Sequence, residues 1–308
     1  MVKSARKVVF KNIDIAFGES LSEKEKYNLA KNSFINFGKS IFELIYSPSL
    51  NKRYYEEHTV LHNDEVVQNS YKKGKGVIAV TAHLGNWEWL GSSYAQLGNK
   101  LSVIARPLDN RKLDRYVEKY REQKGFSIIP KKVAFKKGIK ALNNNHALGI
   151  LVDQNAAVGG IFVPFFGFNA STVKGPLFYH NKTNAPIHVA YSVRGKDDKH
   201  HIYLSEEIFL VKDVFSIPAE LKKNPFEESD YNIFISNILS DYLEIDRITQ
   251  LDKLLKKLSG KDKRKLMDRF NMWKITKYIE NAVRKYPEQW FWLHPRWKKR
   301  PDGEKGIY

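Results

Sequence analysis

Apolar and polar positions change period several times along this chain, and the changes divide it into parts. Over the first fifty residues the period is helical: Tyr27, Ala30, Phe34, Phe37, Ile41 and Leu44 follow one another at spacings of three and four. Ser22 with Glu25 forms a capping box ahead of that stripe, and Pro48 ends it, because the residue before a proline avoids the helical conformation. The stripe reads as a seam facing the core, with a membrane-facing surface as the alternative. From Gly76 onward, short apolar runs alternate with amphipathic ones. Strands are expected at residues 76–82, 101–106, 126–129, 147–152, 186–193 and 201–208, with helices at 86–97, 110–123 and 133–144. Strands separated by helices of that length need crossovers. The reading is therefore an α/β fold, a mainly parallel central sheet flanked by helices and preceded by N-terminal helices.

After Leu210 the pattern changes. Residues 211–232 carry the breakers Pro218 and Pro225, 231–243 read as a helix, and lysine-rich helical segments follow at 251–258 and 262–284, broken by Ser259-Gly260. We take 1–308 as a single domain, with 1–50 as its N-terminal helical segment and 211–268 as a helical insertion. A lid, a docking site or a surface elaboration are the roles open to that insertion.

Formal net charge is +18, from 52 Lys and Arg against 34 Asp and Glu, so polyanions attract this chain: nucleic acid, an anionic membrane surface, phosphorylated substrates or an acidic protein. Absence of cysteine excludes a disulfide framework, a thiolate metal site and a sulfur nucleophile. Neither an apolar run of bilayer-spanning length nor a signal-peptide-like start occurs, so any membrane contact is peripheral. Aromatic clusters such as Phe162, Phe165, Phe166 and Phe168, or Trp290, Phe291, Trp292 and Trp297, suit either a core or a membrane-water interface.

Candidate chemistry gathers where the expected strands end, which is where open α/β sheets bind ligands. His83 opens the run His83-Leu84-Gly85-Asn86-Trp87-Glu88 directly after the first strand. Asn86 reads as the N-cap of the next helix, and a bend at Gly85 is needed to bring Glu88 to the imidazole, since residues five apart on a straight helix diverge by about 140°. A carboxylate on one ring nitrogen fixes the tautomer and frees the other nitrogen to take a proton from a hydroxyl. A hydrogen-bonded histidine at a strand end is the plainer alternative. His201 and Glu206 have the same spacing, but they lie on an alternating strand that turns them to opposite faces, so that pair is coincidence. Arg106 ends the second strand and is placed to hold a phosphate or an oxyanion, or to make a surface ion pair. Asp153, Gln154 and Asn155 end a later strand, and the run from Gly159 to Gly167 is apolar enough to line an acyl slot or to cover the sheet.

Six segments in order carry a resemblance: Thr81-Ala82-His83-Leu84-Gly85-Asn86-Trp87-Glu88, Arg106-Pro107-Leu108, Asp153-Gln154-Asn155, Val163-Pro164-Phe165-Phe166-Gly167, Ala185-Pro186-Ile187 and Tyr286-Pro287-Glu288-Gln289-Trp290-Phe291-Trp292-Leu293-His294. With them the chain resembles the lysophospholipid acyltransferase superfamily, and within it the lipid A biosynthesis lauroyl and myristoyl acyltransferases, from Ala5 to Lys298 with the insertion excepted. The resemblance implies an enzyme on the cytoplasmic face of the bacterial inner membrane that moves a fatty acyl group from acyl carrier protein to a hydroxyl of a phosphorylated, Kdo-modified lipid A precursor. It implies His83 as general base, Glu88 as its orienting partner, Arg106 on acceptor phosphate or oxyanion, and a structural or substrate-positioning role for Asp153. Asn86 is our own candidate for an oxyanion donor, and Lys174 a further candidate for substrate contact. No cofactor and no metal are implied, and no nucleic acid is expected. Without a cysteine or a Gly-x-Ser-x-Gly elbow, direct attack without an acyl-enzyme is expected.

Such proteins usually begin with a hydrophobic anchor helix. This chain opens where that helix would have just ended, so the expectation is a shortened form attached peripherally. Two other readings stand: the same chemistry on a glycerophospholipid or a mannosylated inositol lipid, and, from a different class, a basic nucleic-acid-binding protein.

Overall fold

The computed structural model describes residues 3–227, 229–239, 255–302 and 304–308. It opens with helices α1 (Lys3–Phe17) and α2 (Glu23–Tyr46). The capping box forms as expected, with the Glu25 carboxylate accepting from the Ser22 N–H at 2.8 Å, and α2 ends one residue before a short turn containing Pro48. The stripe along α2 is only partly a core seam. Leu29, Ala30 and Ser33 are buried, but Tyr27 and Ile41 are exposed by 53% and 39%. A 3.6-residue period says which side chains share a face, not what that face meets.

Next come α3 (Lys52–His58), strand β1 (Thr59–His62) and α4 (Asp64–Tyr71), a stretch in which no element was anticipated. The alternating region then follows the expected pattern: β2 (Val77–Thr81), α5 (Trp87–Gln96), β3 (Leu101–Ala105), α6 (Arg111–Gln123), β4 (Ser127–Pro130), α7 (Ala134–Asn143) and β5 (Ala147–Leu151). An antiparallel hairpin, β6 (Ile161–Phe165) with β7 (Phe168–Thr172), and helix α8 (Gly175–Thr183) intervene before β8 (Ile187–Arg194) and β9 (His200–Leu204). Neither the hairpin nor α8 was expected. Inside the apolar run 159–167 the strand β6 turns its side chains into the main core, where Val163, Phe165 and Phe166 are buried.

The seven strands order as β1-β9-β8-β2-β5-β3-β4. All neighbours are parallel except β8 and β9, which form a hairpin. The α/β class with a mainly parallel sheet is therefore the architecture of this chain. Helix α5 covers one face, with Trp89, Leu90 and Tyr94 buried beneath it. On the other face lies a helix spanning Gly260–Lys285, capped by Ser259, which buries Phe270, Trp273, Ile275, Ile279 and Val283 in the largest core cluster.

The described part of the segment 211–268 packs into the main core. Val214, Ile217, Leu221, Phe234 and Ile238 are buried in that same core, and the C-terminal helix runs unbroken through Asp268. Residues 240–254, which include the ends of two helices expected there, lie outside the described residues. Beyond the helix, the chain returns to the end of β2. Gln289 accepts from the Gly85 N–H at 2.8 Å, and the Phe291 N–H donates to the His83 carbonyl at 2.9 Å.

Candidate active site

Strand β2 leaves the sheet at Thr81, and β5 beside it leaves at Leu151, its partner in the parallel register. Two residues further on, the two exits set His83 next to Asp153. The His83 Nδ1 lies 2.8 Å from Asp153 Oδ1, and the His83 backbone N–H donates to Oδ2 at 2.8 Å. Trp290 adds a third donor, its indole Nε1–H reaching Oδ2 at 2.8 Å. Burial pushes the Asp153 carboxyl up, but the charge of His83 and hydrogen bonds from His83 and Trp290 outweigh it and hold the pKa down at about 2. An ionised carboxylate only accepts, so Nδ1 carries a ring proton and Nε2 is the nitrogen left to exchange one.

The bend at Gly85 is real, and it does not do what the sequence reading asked of it. Gly85 has φ +61°, and a Cβ there would fall 1.7 Å from the Ser192 carbonyl oxygen, so only glycine fits. Past it, Asn86 caps α5 as expected, accepting from the Trp89 N–H at 2.9 Å. The first turn of α5 then carries Glu88 beneath the helix, away from the imidazole. Arg121 on α6 binds it at both oxygens, at 2.6 and 3.0 Å. The expected orienting contact from Glu88 is thus replaced by one from Asp153, because strand register joins His83 to a residue 70 positions away while the helix start turns Glu88 toward α6.

Asn86 is also committed elsewhere. Its Nδ2 donates to Glu43 Oε2 at 2.6 Å, so the amide serves as a cap and a tether, with its second N–H not used by Glu43. Glu43 also meets Arg194 and His200, at 2.5 and 3.2 Å. Burial pushes its carboxyl up, yet His200 and Arg194 together hold it at about 2. This network ties α2 and β8 to the loop that carries His83.

Closest to the basic nitrogen is Gln154, whose Nε2 lies 3.3 Å from His83 Nε2. Arg296 secures that segment, donating to the Gln154 carbonyl at 3.2 Å, to the Ser171 carbonyl at 2.7 Å and to Thr172 Oγ1 at 2.6 Å. Trp87 and Phe291 flank the imidazole, with ring centroids 4.8 and 6.0 Å away. His294 sits nearby with its Nδ1 buried and unpartnered, and burial pushes its pKa down to about 4 although Asp153 opposes this. It is neutral near pH 7.

The remaining candidates stand apart. Arg106 lies on the same carboxyl edge as His83, two strands over, but its side chain is exposed and paired with Asp109 at 2.8 Å. Lys174 borders a separate open cleft of about 290 Å³ with Gly160, Phe162, Lys265, Asp268 and Arg269. Among the described residues no group of three or more His, Asp or Glu side chains is arranged to hold a metal. No helix among them is long and apolar enough to cross a membrane.

An apolar cavity of about 80 Å³ lies between α5 and the sheet. Val77, Ala79 and Thr81, the alternate residues of β2, form one wall, and Gly91 and Gly149 leave the space open by having no side chain. Trp87 also lines it, together with the Glu88–Arg121 pair. The polar exit of β2, the imidazole and this apolar chamber therefore adjoin through one side chain, Trp87.

Sequence reading missed Arg121, Glu43, Trp290 and Arg296. Trp290 and His294 did fall within a quoted segment, but nothing local marked Trp290 as a partner of Asp153. For Arg121 and Glu43 the only local signal was a charge on an otherwise amphipathic helix.

An imidazole oriented by a carboxylate at the carboxyl edge of an α/β sheet, joined through Trp87 to an apolar chamber, fits an enzyme that activates a hydroxyl. The model of the bacterial lipid A biosynthesis acyltransferase family matches residues 1–208 and 253–299, and the chain belongs to that family. Lipid A biosynthesis palmitoleoyltransferase of Escherichia coli is 21% identical over 312 residues, covering 100% of this chain and 83% of that protein. A lipid A biosynthesis acyltransferase of Shigella flexneri matches to the same extent, 21% over 312 residues. Phosphatidylinositol mannoside acyltransferase of Mycolicibacterium smegmatis is 26% identical over 122 residues, which span 37% of this chain and 40% of that protein.

Proposed function

We propose that this acyltransferase moves a fatty acyl group from acyl carrier protein to a hydroxyl of a phosphorylated, Kdo-modified lipid A precursor, at an anionic membrane surface. The observation that carries the reading is the Asp153–His83 pair, with Nδ1 bound to the carboxylate, Nε2 beside the Gln154 amide, and Trp87 between the imidazole and the apolar chamber. His83 Nε2 takes the proton of the acceptor hydroxyl as its oxygen attacks the thioester carbonyl. The tetrahedral oxyanion then collapses, the C–S bond breaks, and the departing thiolate takes the proton back from the imidazolium. A thioester is already activated, so base, oxyanion donor and alignment suffice, and no protein-bound acyl group forms.

Gln154 is the side chain nearest to supply an oxyanion hydrogen bond. The acyl chain occupies the chamber under α5. From Val77 to Thr81 the wall runs about 13 Å, at about 3.3 Å per residue. Glu88 and Arg121 close the chamber with a charged pair and keep Trp87 in place. Arg106, on the same carboxyl edge as His83, is left to meet an acceptor phosphate, and Lys174 to meet an anionic group in its separate cleft. The net charge of +18 suits an acidic carrier protein and phosphorylated lipids.

The test is acyl transfer from carrier-bound donors to Kdo-modified lipid IVA in detergent, with His83→Ala and Asp153→Asn beside the wild type. Transfer that collapses in both variants is expected; a folded His83→Ala protein that still transfers at the wild-type rate overturns the reading. The mycobacterial relative favours one second reading, an inositol-mannoside acceptor. A wild type that acylates this lipid and not the lipid A precursor selects it.

A further inference from the structure

Helix α2 is apolar on two sides. Leu29, Ala30 and Ser33 face inward, while Phe42, Ile45 and Tyr46 near its end are exposed by 75, 58 and 65%. At about 100° per residue these last three fall within an arc of about 100°, opposite the buried set. The surface continues onto α6, where the Tyr116 hydroxyl donates to the Ile45 carbonyl at 3.1 Å. Leu108, Leu113 and Tyr116 are exposed by 40, 49 and 40%. Single exposed apolar residues need no explanation, but six on α2, α6 and the loop that leads into α6 make a patch.

Its border is basic. Lys39, Arg111, Lys112 and Arg115 are exposed around it. Of the acids nearby, Asp109 pairs with Arg106 at 2.8 Å and Asp114 accepts from the Leu108 N–H at 2.8 Å. Apolar side chains on a helix face, tyrosines at their margin and Lys or Arg around them are the composition of a segment that lies in a membrane interface. The patch also adjoins the site: Glu43, next to Phe42, turns inward and holds Asn86 of the His83 loop at 2.6 Å.

We propose that the α2–α6 face beds into an anionic lipid bilayer and so presents the His83 site to lipids held there. The surface itself rests on exposure and charge; its use rests on the acyl-transfer reading above. Binding is measured by flotation of the full chain with phosphatidylcholine vesicles, with or without roughly a third of phosphatidylglycerol. Two variants are compared with the wild type, Phe42→Ser/Ile45→Ser/Tyr46→Ser and Arg111→Glu/Lys112→Glu/Arg115→Glu.

The expected result is wild-type flotation with anionic vesicles, weakened about tenfold or more by the serine variant on both lipids. The charge variant loses binding on anionic vesicles only, together with its salt dependence. The serine variant keeps wild-type transfer in detergent and loses it on vesicles. A wild type that does not float, or a serine variant that floats like it, overturns the proposal. So does a wild-type dimer in analytical ultracentrifugation that the serine variant converts to monomer while vesicle binding is unchanged, since a second copy then covers the face. Vesicle binding as expected from a wild type that transfers nothing in detergent supports this surface and counts against the functional reading.

Discussion

Replacing Asp153 by asparagine tests the centre of the mechanism, because the geometry dictates how the amide must sit. Oδ2 accepts two N–H groups, from the His83 backbone and the Trp290 indole, and Oδ1 accepts one, from His83 Nδ1. An amide oxygen takes the position with two donors, which leaves its NH₂ facing the imidazole. His83 Nδ1 must then accept, its proton moves to Nε2, and the nitrogen that should receive the substrate proton is blocked. Loss of general-base catalysis with the wrong tautomer held in place costs about 10³- to 10⁴-fold in kcat, or about 4–5.5 kcal/mol of transition-state stabilisation.

Stability responds separately. The Asp153 carboxyl falls from 3.8 to about 2 on folding. That shift is worth about 2 kcal/mol at neutral pH. Because the folded pKa is the depressed one, this contribution is complete above about pH 4 and disappears as pH falls through about 2. Asp153→Asn should therefore lower the urea midpoint at pH 7 and approach the wild type in acid. The assays are kcat at saturating donor and acceptor, and urea unfolding across pH. A folded variant that turns over within tenfold of the wild type refutes the assignment of Asp153 as the partner that orients His83.

The ion pair offers a contrast. Glu88→Gln leaves Arg121 largely buried beside a neutral amide and should cost about 2–4 kcal/mol in urea unfolding, while Glu88→Met/Arg121→Met recovers most of it. If transfer recovers with stability in the double variant, Glu88 acts through Arg121 and the chamber; if transfer stays lost in a stable double variant, Glu88 acts on substrate. For the chamber, Gly91→Leu should shift the preferred donor at least two carbons shorter in a competition among carrier-bound chains, since a Cβ there already meets the Phe126 ring at 3.4 Å. An unchanged length profile removes the chamber from the mechanism.

Local pattern carried the alternating half of the fold well. Period and caps placed β2 through α7 to within a residue or so at each end, and Asn86 caps α5 as its position before an amphipathic run implies. Where the pattern was read as silent it misled by omission: β1, the β6–β7 hairpin and α8 went unseen. β1 is an edge strand only four residues long, half-buried throughout, so it shows no clean alternation. Along α2 the error was of another kind, since two apolar faces on one helix blur into a single stripe.

By itself the sequence determined the elements of the alternating half, the glycine corner after β2 and the identity of the histidine at that corner, because these depend on the conformational preferences of neighbouring residues. Only the tertiary structure decided what His83 holds. Its partner, Asp153, comes from the next strand through parallel register, and the indole that completes the carboxylate comes from the far end of the chain, 137 residues beyond it. A hydrogen bond is a short-range contact in space with no preference for nearness along the chain. A spacing of five residues could suggest Glu88, but only the packed sheet brings in Asp153 and gives Glu88 to Arg121.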